Sequence, residues 1–190
     1  MDFDIVIVGA GLVGASFAVA LRGAGLKLAL VEAQAPAAAG EDWDSRVYAI
    51  SPGSAAFLEG MGVWKRIDRS RIAAVREMQI YGDAAGAQLQ FSAYESGVPE
   101  LAWTVESKRL QNVLWQALEH QHNLELLCPE QCASLQVRED AVELALAGGN
   151  EDMLTLFIVD VAVTLRDFRG PCRSGCRMTL LCRSAVRPAA

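Results

Sequence analysis

Apolar residues are nearly continuous over positions 3–8, where Phe3, Ile5, Val6, Ile7 and Val8 give the β-branched signature of a buried parallel strand. From Leu12 the spacing changes. Val13, Phe17, Ala20, Leu21 and Ala24 recur at helical intervals, predicting a helix over 12–24 with Gly25 as its stop. A second buried strand is predicted over 26–31, and Glu32 closes it. Residues 33–44 are rich in Ala, Pro and acid and read as a loop. Ser51 is a candidate N-cap and Pro52 a first-turn proline, so a short helix carrying Ala55, Phe57, Leu58 and Met61 should follow. Short strands are expected over 78–81 and 88–91, around a Gly82 to Gly86 turn. Leu110, Val113, Leu114, Ala117 and Leu118 lie at i, i+3, i+4, i+7 and i+8, which marks a helix over 107–120 with a core-facing stripe. Strands over 124–127, 133–137, 141–146 and 154–159 complete the pattern, with a turn at 148–150.

The junction between the first strand and helix carries the first chemistry. Gly9, Gly11 and Gly14 stand in the order G-x-G-x-x-G directly after a strand and at the opening of a helix. Gly9 permits the tight turn, Gly11 lets backbone approach a pyrophosphate, and Gly14 lets the helix pack against the strand. The helix N-terminus offers N–H groups and partial positive charge to the phosphates. Glu32 lies at the tip of the second strand, where its carboxylate can accept hydrogen bonds from adenosine ribose hydroxyls and would repel a 2′-phosphate, so NADP is disfavoured in this slot. Strand, glycine turn, helix, second strand and terminal acid together predict a dinucleotide-binding βαβ unit of the FAD type.

Composition narrows the class further. The 190 residues are 52% hydrophobic and 21% charged, as in ordinary globular proteins. A net charge of −6 argues against nucleic-acid binding. No apolar run reaches the ~20 residues of a membrane helix, and no basic secretory leader precedes the first strand, so a cytoplasmic location is expected. Cys128, Cys132, Cys172, Cys176 and Cys182 make an odd count with spacings that fit neither a disulfide framework nor a zinc site, and His120 and His122 read as solvated helix-end residues; no metal is expected.

Three further segments carry a family resemblance: Asp44-x-Arg46-x-x-Ala49-Ile50-Ser51, Leu58-x-x-Met61-Gly62-Val63-Trp64, and Trp103-x-Val105-Glu106-Ser107 running on through Leu118. With the glycine turn they resemble the FAD-dependent hydroxylases of ubiquinone biosynthesis, flavoprotein aromatic monooxygenases related to para-hydroxybenzoate hydroxylase, over residues 3–156. The resemblance implies an α/β fold with a Rossmann-like FAD/NAD(P)-binding parallel sheet and part of an antiparallel substrate-side sheet beginning near 75–105. It implies FAD as cofactor, NAD(P)H as electron donor, and O2 and a polyprenyl phenol or benzoquinol as substrates. It places Arg46 against the flavin, with a loop ion pair to Asp42 or Asp44 as the other reading of that residue. It also implies contact with the membrane surface or with other ubiquinone-biosynthesis proteins. It assigns no catalytic residue. The family's second flavin motif, Gly-Asp-Ala-Ala-His, has a look-alike at 82–86, but that segment sits between strands and reads as a hairpin turn.

After residue 156 the pattern changes. Residues 1–156 hold 11 Lys and Arg against 21 Asp and Glu, whereas 157–190 hold six Arg, no Lys and two Asp, with three cysteines. The flavin-contacting Gly-Ala-Asp-Gly segment that relatives carry after the strand at 154–159 is replaced by Asp160-Val161-Ala162-Val163. Residues 1–156 are therefore expected to be the N-terminal part of the FAD-binding domain, and 157–190 an aberrant tail arising from a frameshift near 153–163. A genuine basic tail for an acidic partner is the other reading. On this view the chain is truncated and its activity impaired. A non-catalytic nucleotide-binding remnant and a different FAD-linked oxidoreductase are the alternatives; Arg46-x-x-Ala49-Ile50-Ser51 argues against the second.

Overall fold

A computed structural model describes residues 2–84, 86–138, 141–147 and 153–157. The chain forms β1 (Asp2–Phe3), β2 (Ile5–Val8), α1 (Leu12–Ala20), β3 (Leu28–Val31), β4 (Val47–Ile50), α2 (Pro52–Gly60), β5 (Ile72–Val75), β6 (Glu77–Tyr81), β7 (Gln88–Ser92), β8 (Ala102–Glu106), α3 (Ser107–Glu119), β9 (Leu124–Leu127), β10 (Cys132–Val137), β11 (Ala141–Leu146) and β12 (Met153–Phe157). It divides into two units, 1–36 with 114–190, and 37–113, the boundary falling within α3.

In the first unit β2, β3 and β9 make a parallel sheet in that order, with Ile5 opposite Leu28 and Leu28 opposite Leu124. Parallel strands are covered on both faces, and every residue of β3 is buried. The pleat sorts the two faces. Val6, Ala29 and Val31 join Phe3, Val142 and Leu144 in one buried cluster, so β11 covers that side. Ile7 points the other way, and α1 lies close over it at Gly14. The helix buries Gly14, Ala15, Ala18 and Val19. Gln121 extends this layer by donating from Nε2 to the Ala18 carbonyl at 2.9 Å. The covering sheet runs β1-β12-β11-β10, with β1 parallel to β12 and the other pairs antiparallel.

The single strand expected over 3–8 is split at Asp4. The Asp4 carboxylate accepts the Lys27 N–H at 2.7 Å, and the residues on either side pair with different sheets. The first helix is shorter than the expected 12–24. After Ala20 the Arg22 and Ala24 N–H groups reach back only three residues, to Val19 and Leu21. Gly23 and Gly25 then take φ of 81° and 73°, leaving the helical region.

The second unit is antiparallel. β8 lies between β4 and β5, with Tyr48 and Ile72 both opposite Val105. The Ser51 and Pro52 expectation holds: Ser51 Oγ accepts the Ser54 N–H and Pro52 opens α2. β6 and β7 pair antiparallel on either side of 82–86, as a hairpin requires; residue 85 of that turn lies outside the described residues. α3 buries Leu110, Leu114, Ala117 and Leu118 as its spacing requires, and His120 and His122 are exposed. Of the strand expected over 154–159 the described part is β12; the turn at 148–150 and the tail from 158 onward lie outside the described residues.

Candidate dinucleotide site

The carboxyl ends of β2 and β3 meet at Gly9, whose N–H donates to the Val31 carbonyl at 2.8 Å. Three glycines follow from three different causes. Gly9 has φ of 97°, a backbone region that side chains resist. Gly14 has no room for one: an added Cβ would overlap the Gly9 carbonyl oxygen and meet Ile7 Cγ2 at 3.2 Å. Gly11 has neither reason. Its φ is −62°, and an added Cβ would find nothing within 4 Å. The fold therefore tolerates a side chain at Gly11, and the open space above it is where a ligand can reach the backbone.

Gly11 is also the N-cap of α1, and no side chain caps that end. The first turn holds no acidic residue. The helix thus presents unopposed partial positive charge beside the open glycine, the setting that takes a phosphate.

Glu32 completes this edge. Its Oε2 accepts the Ala10 N–H at 2.6 Å and its Oε1 the Gln34 N–H at 3.1 Å. The carboxylate is therefore tied to the glycine turn itself. A carboxylate offers about four acceptor positions, so two bonds leave capacity for a vicinal pair of ribose hydroxyls. Beside it, burial and then the Glu32 charge raise the Cys128 thiol above its usual range, which keeps it protonated and a poor nucleophile. The residues present fit the pyrophosphate and adenosine ribose of a dinucleotide. A depression lined by Phe3, Lys27, Leu28, His122 and Glu125 lies at the opposite, amino ends of these strands and has no such features.

Gly9, Gly11, Gly14 and Glu32 are thus gathered in the first unit. Arg46 belongs to the second. It is exposed and directly before β4; among the described residues no salt bridge joins it to a carboxylate, yet the Asp44 carboxyl is held below its usual range chiefly by the Arg46 N–H and in smaller part by the Arg46 charge, so the loop pairing stays open beside the flavin role. Its backbone is fixed at both ends: its N–H donates to Asp44 Oδ1 at 3.1 Å, and its carbonyl accepts the Ser107 N–H at 2.9 Å.

Sequence reasoning missed a charge cluster in this second unit. Glu106, at the end of β8, is 3% exposed. It takes Nε and Nη2 of Arg71 at 2.6 and 2.9 Å, and Nε of Arg109 at 3.2 Å. The Arg71 hydrogen bonds hold its carboxyl down to about 2 against the pull of burial, helped by the Asp44 N–H and by Arg109. A lone acid closing an apolar strand run, Ala102 to Val105, was the available signal.

Comparison with known proteins gives the family and the fold. A family model described as FAD binding domain matches residues 2–155. The 3-demethoxyubiquinol 3-hydroxylase of Escherichia coli is 35% identical over 148 residues, covering 77% of this chain and 38% of the relative. The mitochondrial ubiquinone biosynthesis monooxygenase COQ6 of Homo sapiens is 33% identical, covering 62% of this chain and 26% of the relative. The chain therefore spans well under half the length of these relatives. Among solved structures, p-nitrophenol 4-monooxygenase PnpA from Pseudomonas putida superposes with a TM-score of 0.64 at 21% identity, covering 85% of this chain and 40% of that one. The flavin-dependent monooxygenase PieE, solved with FAD and substrate, gives 0.62 at 17%, covering 85% and 30%.

Proposed function

The chain belongs to the FAD binding domain family, and from that premise we propose that residues 1–156 are the N-terminal part of the FAD-binding domain of a monooxygenase that hydroxylates a polyprenyl phenol or benzoquinol ring in ubiquinone biosynthesis. The observation that carries this reading is the pairing of an open Gly11 with Glu32 on the glycine turn, within the 2–155 stretch that the FAD binding domain model matches.

The roles follow from the chemistry of each group. The Gly11 backbone and the α1 N-terminus take the pyrophosphate, Glu32 takes the adenosine ribose, and Arg46 lies against the flavin. Bound FAD would accept electrons from NAD(P)H and supply the oxidising chemistry with O2. The protein's part is to hold and orient it. No residue of this chain is assigned a proton-transfer role. The strand pair β6 and β7 begins the substrate-side sheet on this reading. A polyprenyl substrate implies work at a membrane surface; no helix among the described residues is long and apolar enough to cross one.

Residues 157–190 are proposed to be a frameshifted tail. Sequencing the DNA through codons 153–163 tests this, and a reading frame in which no single-base change restores Gly-Ala-Asp-Gly would refute it.

The function is tested by the absorbance spectrum of the purified chain, with chromatography of any released cofactor, followed by titration with added FAD. Flavin at near-stoichiometric level supports the binding role. Hydroxylation of a polyprenyl phenol with NADH or NADPH, and none of amines or amino acids, supports the reaction class. A colourless chain that takes up no added FAD refutes the assignment of these roles to this chain.

A further inference from the structure

Residues 37–46 contain no helix or strand, so their carbonyls must find partners elsewhere. Two arginines supply them. Arg109 Nη2 donates to the Gly40 carbonyl at 3.0 Å, while Arg71 Nη1 and Nη2 donate to the Glu41 and Asp42 carbonyls, each at 3.1 Å. The Trp43 ring lies over the Arg71 guanidinium, 3.8 Å from ring centre to Cζ. Both arginines are held by one carboxylate. Glu106 Oε1 accepts from Arg71 Nε and Arg109 Nε; Oε2 accepts from Arg71 Nη2 and, at 2.7 Å, from the Asp44 N–H. Four donors fill the carboxylate, which leaves it no capacity to bind a ligand.

The chain of contacts continues to Arg46. Asp44 Oδ1 accepts the Arg46 N–H and Oδ2 the Lys108 N–H at 3.2 Å, and the Arg46 carbonyl accepts the Ser107 N–H. In the strand register Glu106 stands opposite Val47, the residue after Arg46. A buried ion cluster is a costly way to hold a loop that apolar packing could hold, and it is favoured where one conformation has to be specified.

We propose that Glu106 is a positioning residue for the cofactor: through Arg71, Arg109 and the Asp44 N–H it fixes residues 40–44, and so sets the backbone from which Arg46 engages the flavin. The inference rests on the reading of Arg46 as a flavin contact. Glu106 acts only through Arg46 and the loop, so loss of either should have the same effect on affinity, and loss of both no more.

The test is a fluorescence titration of the full chain with FAD, for wild type, Arg46→Ala, Glu106→Gln and the double variant, with amide hydrogen exchange measured before FAD is added. The expected result is about a tenfold loss of affinity in each single variant, as preorganisation is given up, and no further loss in the double. Exchange should quicken at the hydrogen-bonded Asp44 and Arg46 amides in Glu106→Gln, and the Asp44 amide should keep its wild-type rate in Arg46→Ala. A Glu106→Gln chain that binds FAD like wild type, while Arg46→Ala does not, overturns the inference alone. Multiplicative losses in the double variant, or faster exchange throughout the chain, overturn it by making Glu106 a general stabiliser. Normal affinity in Arg46→Ala, or no uptake of FAD by wild type, removes the underlying reading and the inference with it. If Glu106→Gln does not fold, Arg109→Gln carries the same test with a smaller loss in the same direction.

Discussion

Exchanging Gly11 and Gly14 for alanine, one at a time, separates what the fold requires from what the ligand requires. At Gly14 the new methyl group would overlap the Gly9 carbonyl oxygen, which is backbone and cannot swing aside. Forced overpacking costs about 1–3 kcal/mol and occasionally more, a clash with backbone falls at or above the top of that range, and alanine returns about 1 kcal/mol in helix propensity. A net loss of about 1–3 kcal/mol should remain, lowering a urea midpoint by about 1 M. At Gly11 the methyl group meets no protein atom within 4 Å and φ is an ordinary −62°. Alanine is a poorer N-cap than glycine, but it reduces the entropy of the unfolded chain by about 0.4–1 kcal/mol, so the two effects nearly cancel. The Gly11→Ala chain should therefore unfold close to wild type while binding FAD at least tenfold more weakly, because its methyl group stands where the pyrophosphate approaches. Urea unfolding followed by circular dichroism and FAD titration followed by fluorescence give the two numbers. If Gly11→Ala destabilises the chain as much as Gly14→Ala, or binds FAD normally, the division of labour among these glycines is wrong.

Other outcomes follow from the same geometry. The Glu106 carboxyl is held near 2 in the folded chain against an ordinary 4.5, so its contribution to stability is complete above about pH 4.5 and disappears as pH falls towards 2; urea midpoints measured from pH 6 downward should bring wild type and Glu106→Gln together, and a constant gap would contradict this. Ser51→Ala removes the hydroxyl that accepts the Ser54 N–H and should cost about 1 kcal/mol in urea unfolding, with no change in FAD affinity. Glu32→Gln keeps one carbonyl acceptor for the Ala10 N–H but loses the charge, and calorimetric titration should show FAD affinity falling about tenfold with the unfolding midpoint little changed.

The βαβ unit was legible in the sequence because each of its parts is local. A β-branched run, a glycine-determined turn, a helical stripe and a terminal acid all lie within 32 residues, and each has one physical cause. The stripe of α3 and the cap of α2 were legible for the same reason. The split at Asp4 was not, because the Lys27 N–H that occupies its carboxylate comes from the far side of the helix. The Glu106 cluster was invisible for a stronger form of that reason: its partners Asp44 and Arg71 stand 62 and 35 residues before it, and only Arg109 is near. Arg46 was selected by resemblance, and its sequence neighbourhood says nothing of the loop architecture behind it.

The seven residues from Asp2 to Val8 serve two sheets, and this bears on the order in which a growing chain can fold. β2 finds β3 about twenty residues later, so the parallel pair can form early in synthesis. β1 has to wait, because Asp2 pairs with Thr155 and Phe3 with Leu156. Until β11 and β12 are made, the Val6, Ala29 and Val31 face of the parallel sheet lacks Val142 and Leu144 to cover it, and Phe3 lacks its strand partner. Closing so long a loop is slow, and the exposed apolar face is a site for self-association in the meantime. A peptide tag fused at the N-terminus would therefore act on the pairing of β1 with β12, and its penalty should appear as lost yield of soluble protein at higher growth temperature.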